Sequence, residues 1–149
     1  MAINKKEIYY KSLEAVNRRI EKYEKEMDMI KESMEANDVK TDYDEDNKGQ
    51  LLGDFEKYAE YLNQAQEMKE KLAAIDLDHY SETVNFGSVV ETDKDLYFVA
   101  VPIGEIELED GSKVFSISTE APIYELMKDK KAGDRFSFKE KEREIKKVH

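Results

Sequence analysis

Four carboxylates crowd into the five positions from Asp42 to Asp46, namely Asp42, Asp44, Glu45 and Asp46, with only Lys40 and Lys48 close by to offset them. Oxygen donors at this density suit a hard cation. Magnesium takes one or two protein carboxylates and completes its shell from water and phosphate, so such a cluster could present ligands to a metal held elsewhere. The same residues also suit a plainer task. Asp42 as an N-cap with Glu45 three positions on is a capping-box arrangement, and carboxylates are favoured at a helix N-terminus by its unpaired amides. The residues alone leave both readings open. A calcium loop fits poorly: from Asp42 the aspartate spacing is right, but Asn47 replaces the turn glycine and Gly53 stands where the bidentate glutamate belongs.

Other chemistry is sparse. The absence of cysteine removes disulfides, thiolate-held zinc and a cysteine nucleophile, and suits a reducing compartment. The two histidines are His79 and His149; His79 falls at a domain junction and reads as a packing residue. There is no Ser-His-Asp pairing, phosphate-binding loop or dinucleotide glycine motif, so catalysis by this chain alone has little support.

The acidic cluster sits between two long helical patterns. Apolar residues recur at Tyr9, Leu13, Val16, Ile20, Tyr23, Met27, Ile30 and Met34, alternating steps of four and three, a heptad seam. A second seam runs through Leu51, Phe55, Tyr58, Leu62, Ala65, Met68, Leu72 and Ile75. Lysine, arginine and glutamate fill most of the remaining positions of the first seam and solvate its outer face. Two matched seams joined by a short polar connection predict an antiparallel coiled-coil hairpin in which each stripe covers the other. The acidic cluster is then its tip, near 38–50.

After Asp76 the pattern changes to period two, and most helix-breaking residues lie here: Gly87, Pro102, Gly104, Gly111, Pro122 and Gly133. Strands are expected at 86–91, 96–101, 113–118, 135–139 and 142–148, and one short helix at 121–128 with Pro122 in its first turn. The chain thus reads as α+β with two domains, a hairpin at 1–79 and a small α+β domain at 80–149.

Composition narrows the partners. The 149 residues are 40% charged and carry a net charge of −11, and mean hydropathy is −0.80. Unassisted binding to duplex DNA or anionic lipid is disfavoured by that sign. The first residues lack the apolar core of a signal peptide and no window approaches 18 apolar residues, so a cytoplasmic protein without a membrane role is expected.

Phe86-Gly-Ser-Val-Val90, Ile117-Ser-Thr-Glu-Ala-Pro-Ile-Tyr-Glu-Leu-Met127 and Lys130-Lys-Ala-Gly-Asp134 resemble the carboxy-terminal domain of the GreA/GreB transcript-cleavage factors. That family carries F-G-x-x-V, then I-S-x-x-S-P before a short helix, then K-x-x-G-D leading into a final hairpin. The domain order resembles the family too, which implies an FKBP-like fold for 80–149. Asp129 stands where the family commonly has glycine. Two segments compete for the family's acidic tip. Gly53-Asp-Phe-Glu-Lys-Tyr-Ala-Glu-Tyr61 is closer in letters, but Lys57 replaces the key glutamate. Thr41-Asp-Tyr-Asp-Glu-Asp-Asn47 is right in length, and leaves two arms of similar extent. The tip is therefore placed at Asp42 and Glu45, with Asp54 and Glu56 as the alternative.

The resemblance implies a factor that binds bacterial RNA polymerase, inserts the hairpin into the secondary channel and stimulates cleavage of backtracked RNA. It would have no cofactor of its own. Asp42 and Glu45 would help hold Mg2+ jointly with the polymerase, with Asp44 and Asp46 as accessory carboxylates. Ser118, Ala121, Pro122 and Ile123 would dock on the polymerase. Nascent RNA would be met indirectly, with no specific DNA binding, and hydrolysis would belong to the polymerase rather than to this chain. The extra carboxylates also resemble those of Gre-like inhibitors that use the same channel. Outside this niche stand a coiled-coil adaptor or chaperone, whose tip is a soluble turn, and a prolyl isomerase. The last needs an aromatic-lined apolar pocket, for which Tyr97, Phe98, Phe115 and Tyr124 are the dispersed candidates; fold alone does not license it.

Overall fold

A computed structural model describes residues 3–36 and 42–149, and of residues 42–46 the backbone alone. The elements run α1 (Lys5–Ala36), α2 (Asp42–Ala73), β1 (Val89–Thr92), β2 (Leu96–Val99), β3 (Gly104–Glu107), β4 (Lys113–Ile117), α3 (Pro122–Met127), β5 (Arg135–Phe138) and β6 (Lys141–Val148). This is the expected α+β order, a helical hairpin followed by a sheet domain. Two compact units result: residues 1–15 with 70–149, and residues 16–69.

In the unit 16–69, the two helices run antiparallel. Arg19 Nη1 lies 4.0 Å from Met68 Sδ, whereas the Tyr23 ring lies 5.6 Å from that of Tyr61 and 6.2 Å from that of Tyr58. Advancing along α1 therefore means retreating along α2. Each helix has 32 residues, about 48 Å at about 1.5 Å per residue. The seam positions of both helices are buried or half-buried, while the charged positions between them are mostly exposed. At the start of α1, Asn4 Oδ1 accepts the amide of Glu7 at 3.2 Å, a side-chain cap for an otherwise unpaired donor.

In the other unit the sheet has strand order β3-β4-β2-β1-β6-β5. Neighbours are antiparallel except β2 and β4, which are parallel. α3 delivers Ile123, Tyr124 and Met127 to a core with Val90, Tyr97, Val99, Phe136, Ile145 and Val148. Val89, Phe98, Val114 and Ser116 point to the opposite face and are also buried. The helix ends grouped with this sheet contribute fully buried Ile8, Ser12 and Leu72. Glu7 Oε1 accepts the amide of Glu109 at 2.9 Å, and a side chain at Gly87 would stand 3.5 Å from Ile75.

Two features depart from the strand expectations. β3 was not anticipated: it is an edge strand on which Ile106 alone is buried, so its sequence reads as polar turn. The segment 86–88 is turn rather than strand, because Gly87 takes φ +94° and reverses the chain before β1. β6 also carries a bulge. Val90 faces Val148 and Glu91 faces Lys147, yet Thr92 faces Ile145, so Lys146 is the extra residue. Without it Ile145 and Val148 would point to opposite faces; with it both enter one core.

Among the described residues three besides glycine adopt left-handed backbone: Asp129 at φ 63°, Lys139 at 52° and Glu140 at 66°. The last two form the two-residue link between β5 and β6, where a primed turn matches the strand twist and favours Asn-Gly. Replacing Lys139-Glu140 by Asn-Gly, or Asp129 by Gly, should each raise unfolding stability by about 1 kcal/mol, read as a higher Tm. Gly53→Ala on α2 meets nothing within 4 Å and should add about 0.8 kcal/mol of helix stability by thermal circular dichroism.

Candidate functional site

The tip candidates fall at the start of α2, which begins at Asp42. The side chains of Asp42, Asp44, Glu45 and Asp46 lie outside the described residues, as do residues 37–41 altogether. What surrounds them is visible in the sequence and the helix limits. Between Glu32 and Glu56 there are nine acidic residues against two lysines. Glu32 and Glu35 near the end of α1 oppose its dipole, and no basic residue stands in that last turn. Asp54 and Glu56, the competing pair, lie well inside α2, three turns beyond its start. Among the described residues no group of three or more His, Cys, Asp or Glu side chains is arranged to hold a metal.

The docking candidates lie where β4 hands over to α3. Ser118 Oγ accepts the amide of Glu120 at 3.2 Å and its carbonyl accepts the amide of Ala121 at 3.1 Å, which tightens the turn. Ala121 is extended, at φ −66° and ψ 139°, and Pro122 opens α3 where its missing amide costs nothing. Ser118 and Ala121 are half-buried, Pro122 is exposed, and Ile123 is only 5% exposed. Ile123 is therefore a core residue with little surface to offer a partner. Leu126, one helical turn beyond Pro122, is 39% exposed and was not singled out from the sequence. A signal for it existed: Pro122 and Leu126 stand four apart on one helix face.

A polar network on β1, β2 and β6 also escaped the sequence. Tyr97 donates its hydroxyl to Asp95 Oδ2 at 2.7 Å, and Arg143 Nε reaches the same oxygen at 3.4 Å. Thr92 Oγ1 donates to Asp95 Oδ1 at 2.7 Å. Arg143 Nη1 also donates to the carbonyl of Phe138 at 3.0 Å, tying the network to the β5–β6 turn. Burial, and then the bond to Asp95, hold the Tyr97 hydroxyl well above the ordinary tyrosine range. The Tyr97 ring packs 5.9 Å from that of Phe115. Tyr97, Phe98 and Tyr124 are buried in the domain's packing, so they fill the interior instead of lining an isomerase pocket. His79, expected as packing, is exposed.

No family model matches the chain. No curated protein matches it in sequence. Among solved structures it is similar to that of the transcription factor Gfh1, with 18% identity over 95% of this chain and 92% of the other, at a TM-score of 0.35. The structure of Thermus aquaticus Gfh1 gives 18% identity over 94% and 95%, also at 0.35. No helix among the described residues is long and apolar enough to cross a membrane.

Raising the Tyr97 pKa makes a signed prediction. The unfolded chain ionises this phenol near pH 10 and the folded chain only above that, so its contribution is complete below about pH 10 and is lost as pH rises further. Unfolding stability should fall on the alkaline side, and Tyr97→Phe should flatten that fall while costing about 1–2 kcal/mol at neutral pH for the lost bond to Asp95. Denaturant titrations at pH 7 and pH 10.5 read both effects.

Proposed function

We propose that this chain is a Gre-like factor of bacterial RNA polymerase, whose hairpin enters the secondary channel and whose acidic tip promotes hydrolysis of backtracked RNA. The observation that carries this reading is where the family-like residues fall. Gly87 takes φ +94° against Ile75, Pro122 opens α3, and Gly133 takes φ +96° in the turn before β5. Asp129, standing in place of the family's glycine, itself adopts the left-handed backbone that glycine favours. These residues resemble the family at positions where the backbone restricts what can stand.

In this reading the sheet domain docks and the hairpin delivers carboxylates. Ser118, Ala121 and Pro122 form the docking turn, with Leu126 beside Pro122 as further apolar surface. Asp42 and Glu45 are hard oxygen donors of the kind that complete a magnesium shell, with Asp44 and Asp46 adding negative potential. A magnesium ion shared with the polymerase would supply a polarised water as nucleophile. The chain contributes ligands and position, and the bond is broken in the polymerase. The net charge of −11 fits attraction through a protein partner and a metal rather than through bare nucleic acid.

The surplus of carboxylates around the tip favours one second reading, an inhibitor that occupies the same channel and draws metal away from productive geometry. One set of proteins separates the two. Asp42→Asn with Glu45→Gln keeps side chains able to cap a helix, so stability should change by no more than about 1 kcal/mol. The double variant should still bind stalled polymerase and lose stimulated RNA cleavage at least tenfold. Wild type that slows elongation and never stimulates cleavage, with the slowing relieved when Asp44 and Asp46 are also neutralised, would establish the inhibitor. Indifference to every tip change would point to an adaptor and sink both. Separately, Leu126→Asp should weaken polymerase binding about tenfold while leaving circular dichroism unchanged.

A further inference from the structure

The sheet is open, and β3 forms one of its edges. Its register against β4 fixes which backbone groups are used. Leu108 donates its amide to the Ser112 carbonyl at 2.8 Å, and further along Ile106 stands opposite Val114 and Gly104 opposite Ser116. In an antiparallel pair the residues that bond to the neighbour alternate with those that point away from it. Gly104, Ile106 and Leu108 therefore turn their amides and carbonyls to β4, while Glu105, Glu107 and Glu109 turn theirs outward. The outward amide of Glu109 is taken by Glu7 Oε1 of α1 at 2.9 Å. Those of Glu105 and Glu107 have no partner among the described residues, and both residues are exposed.

Side chains along this edge are sorted by face. Ile106 is buried on the face that also buries Val114 and Ser116, whereas Glu105 and Glu107 stand on the other. Glu109 and Asp110, both exposed, follow at the turn to β4. Lys113, opposite Glu107 in register, gives its ammonium to Glu105 at 3.1 Å. Among the described residues Glu107 and Glu109 have no ion pair. A second copy of this edge would set like charges against one another, so pairing of the edge with itself is opposed. A strand that pairs here must bring positive charge to the face of Glu105 and Glu107, and apolar side chains to the face of Ile106.

We propose that the β3 edge takes up an extended segment of a partner protein in which Lys or Arg alternates with apolar residues. The segment adds a further strand to the sheet by exchanging amide and carbonyl bonds with Glu105 and Glu107. Its cations then lie beside those two carboxylates, and its apolar residues lie beside Ile106, because successive side chains of a strand point to opposite faces. Backbone bonds supply the attachment and the alternation supplies the selection. Glu7 closes the edge at Glu109, so the stretch left for pairing is short. The inference uses neither the acidic tip nor the turn at Ser118, and it stands whether or not the partner is a polymerase.

The test titrates the full chain, isotopically labelled, with the peptide acetyl-Lys-Val-Lys-Val-Lys-Val-amide at pH 7 and constant ionic strength. A peptide of the same composition, acetyl-Lys-Lys-Lys-Val-Val-Val-amide, controls for charge alone, since a net charge of −11 attracts any polycation. Saturable amide shifts centred on residues 104–109 and slowed hydrogen exchange at the Glu105 and Glu107 amides are expected, with the control peptide at least tenfold weaker. Glu107→Gln keeps the outward amide and loses the charge, and should weaken binding about threefold. Glu107→Pro removes the outward amide and spares every bond to β4, because an edge strand accommodates proline where its amide faces solvent, and should abolish binding. Peptides N-methylated on the lysines alone or on the valines alone test the same bonds with the protein unchanged: one should lose binding and the other keep it. Equal affinity for the alternating and control peptides, equal behaviour of the two methylated peptides, or a folded Glu107→Pro chain that binds as Glu107→Gln does would each overturn the proposal.

Discussion

A helix with a single narrow apolar stripe has too little buried surface to hold its own backbone in order, because ordering each residue costs on the order of 1–2 kcal/mol. In this chain both long helices are of that kind. Their outer faces are mostly charged or polar, and the seams from Tyr9 to Met34 and from Leu51 to Ile75 carry most of the apolar surface that leaves water. Mutual burial of those seams is the condition on which the rest depends. It makes the helices antiparallel, as Tyr23 against Tyr58 and Tyr61 shows. A surplus of negative charge accumulates where apolar cover runs out.

The sheet domain meets a different constraint. Its central strands are buried on both faces, so period-two alternation of polar and apolar residues cannot describe them. Val89, Val90, Phe98 and Val99 are all fully buried, and each needs cover on its own side. α3 supplies it on one face through Ile123, Tyr124 and Met127. The polar groups caught inside are bonded locally. Ser12 Oγ donates to the Ile8 carbonyl at 2.7 Å and Ser116 Oγ to the Val101 carbonyl at 2.6 Å. Among the described residues no buried side-chain nitrogen or oxygen lacks a partner, as expected when an unpaired buried polar group costs about 1–3 kcal/mol.

Function, in the proposed reading, divides along the same line. The hairpin offers carboxylates on a rigid support, which suits ligands that must reach a distant metal. The sheet domain offers shape, a turn stiffened by Ser118 and Pro122 with Leu126 beside it.

Periodicity alone announced the two long helices and their pairing, because two apolar stripes that follow each other closely can each cover the other. Pro122 likewise announced the start of α3, since its missing amide and its ring are tolerated only in a first turn. What periodicity could not reach were features made by residues distant in sequence or by small shifts in register. β3 was hidden because an edge strand buries one residue. The inward turn of both Ile145 and Val148 depends on a single extra residue at Lys146, which leaves no mark in composition. Arg143 meets Asp95 across 48 positions, and Lys5 meets a main-chain oxygen of His149 across 144. Such contacts are set by how strands and helix ends are stacked, and only the tertiary structure decided them.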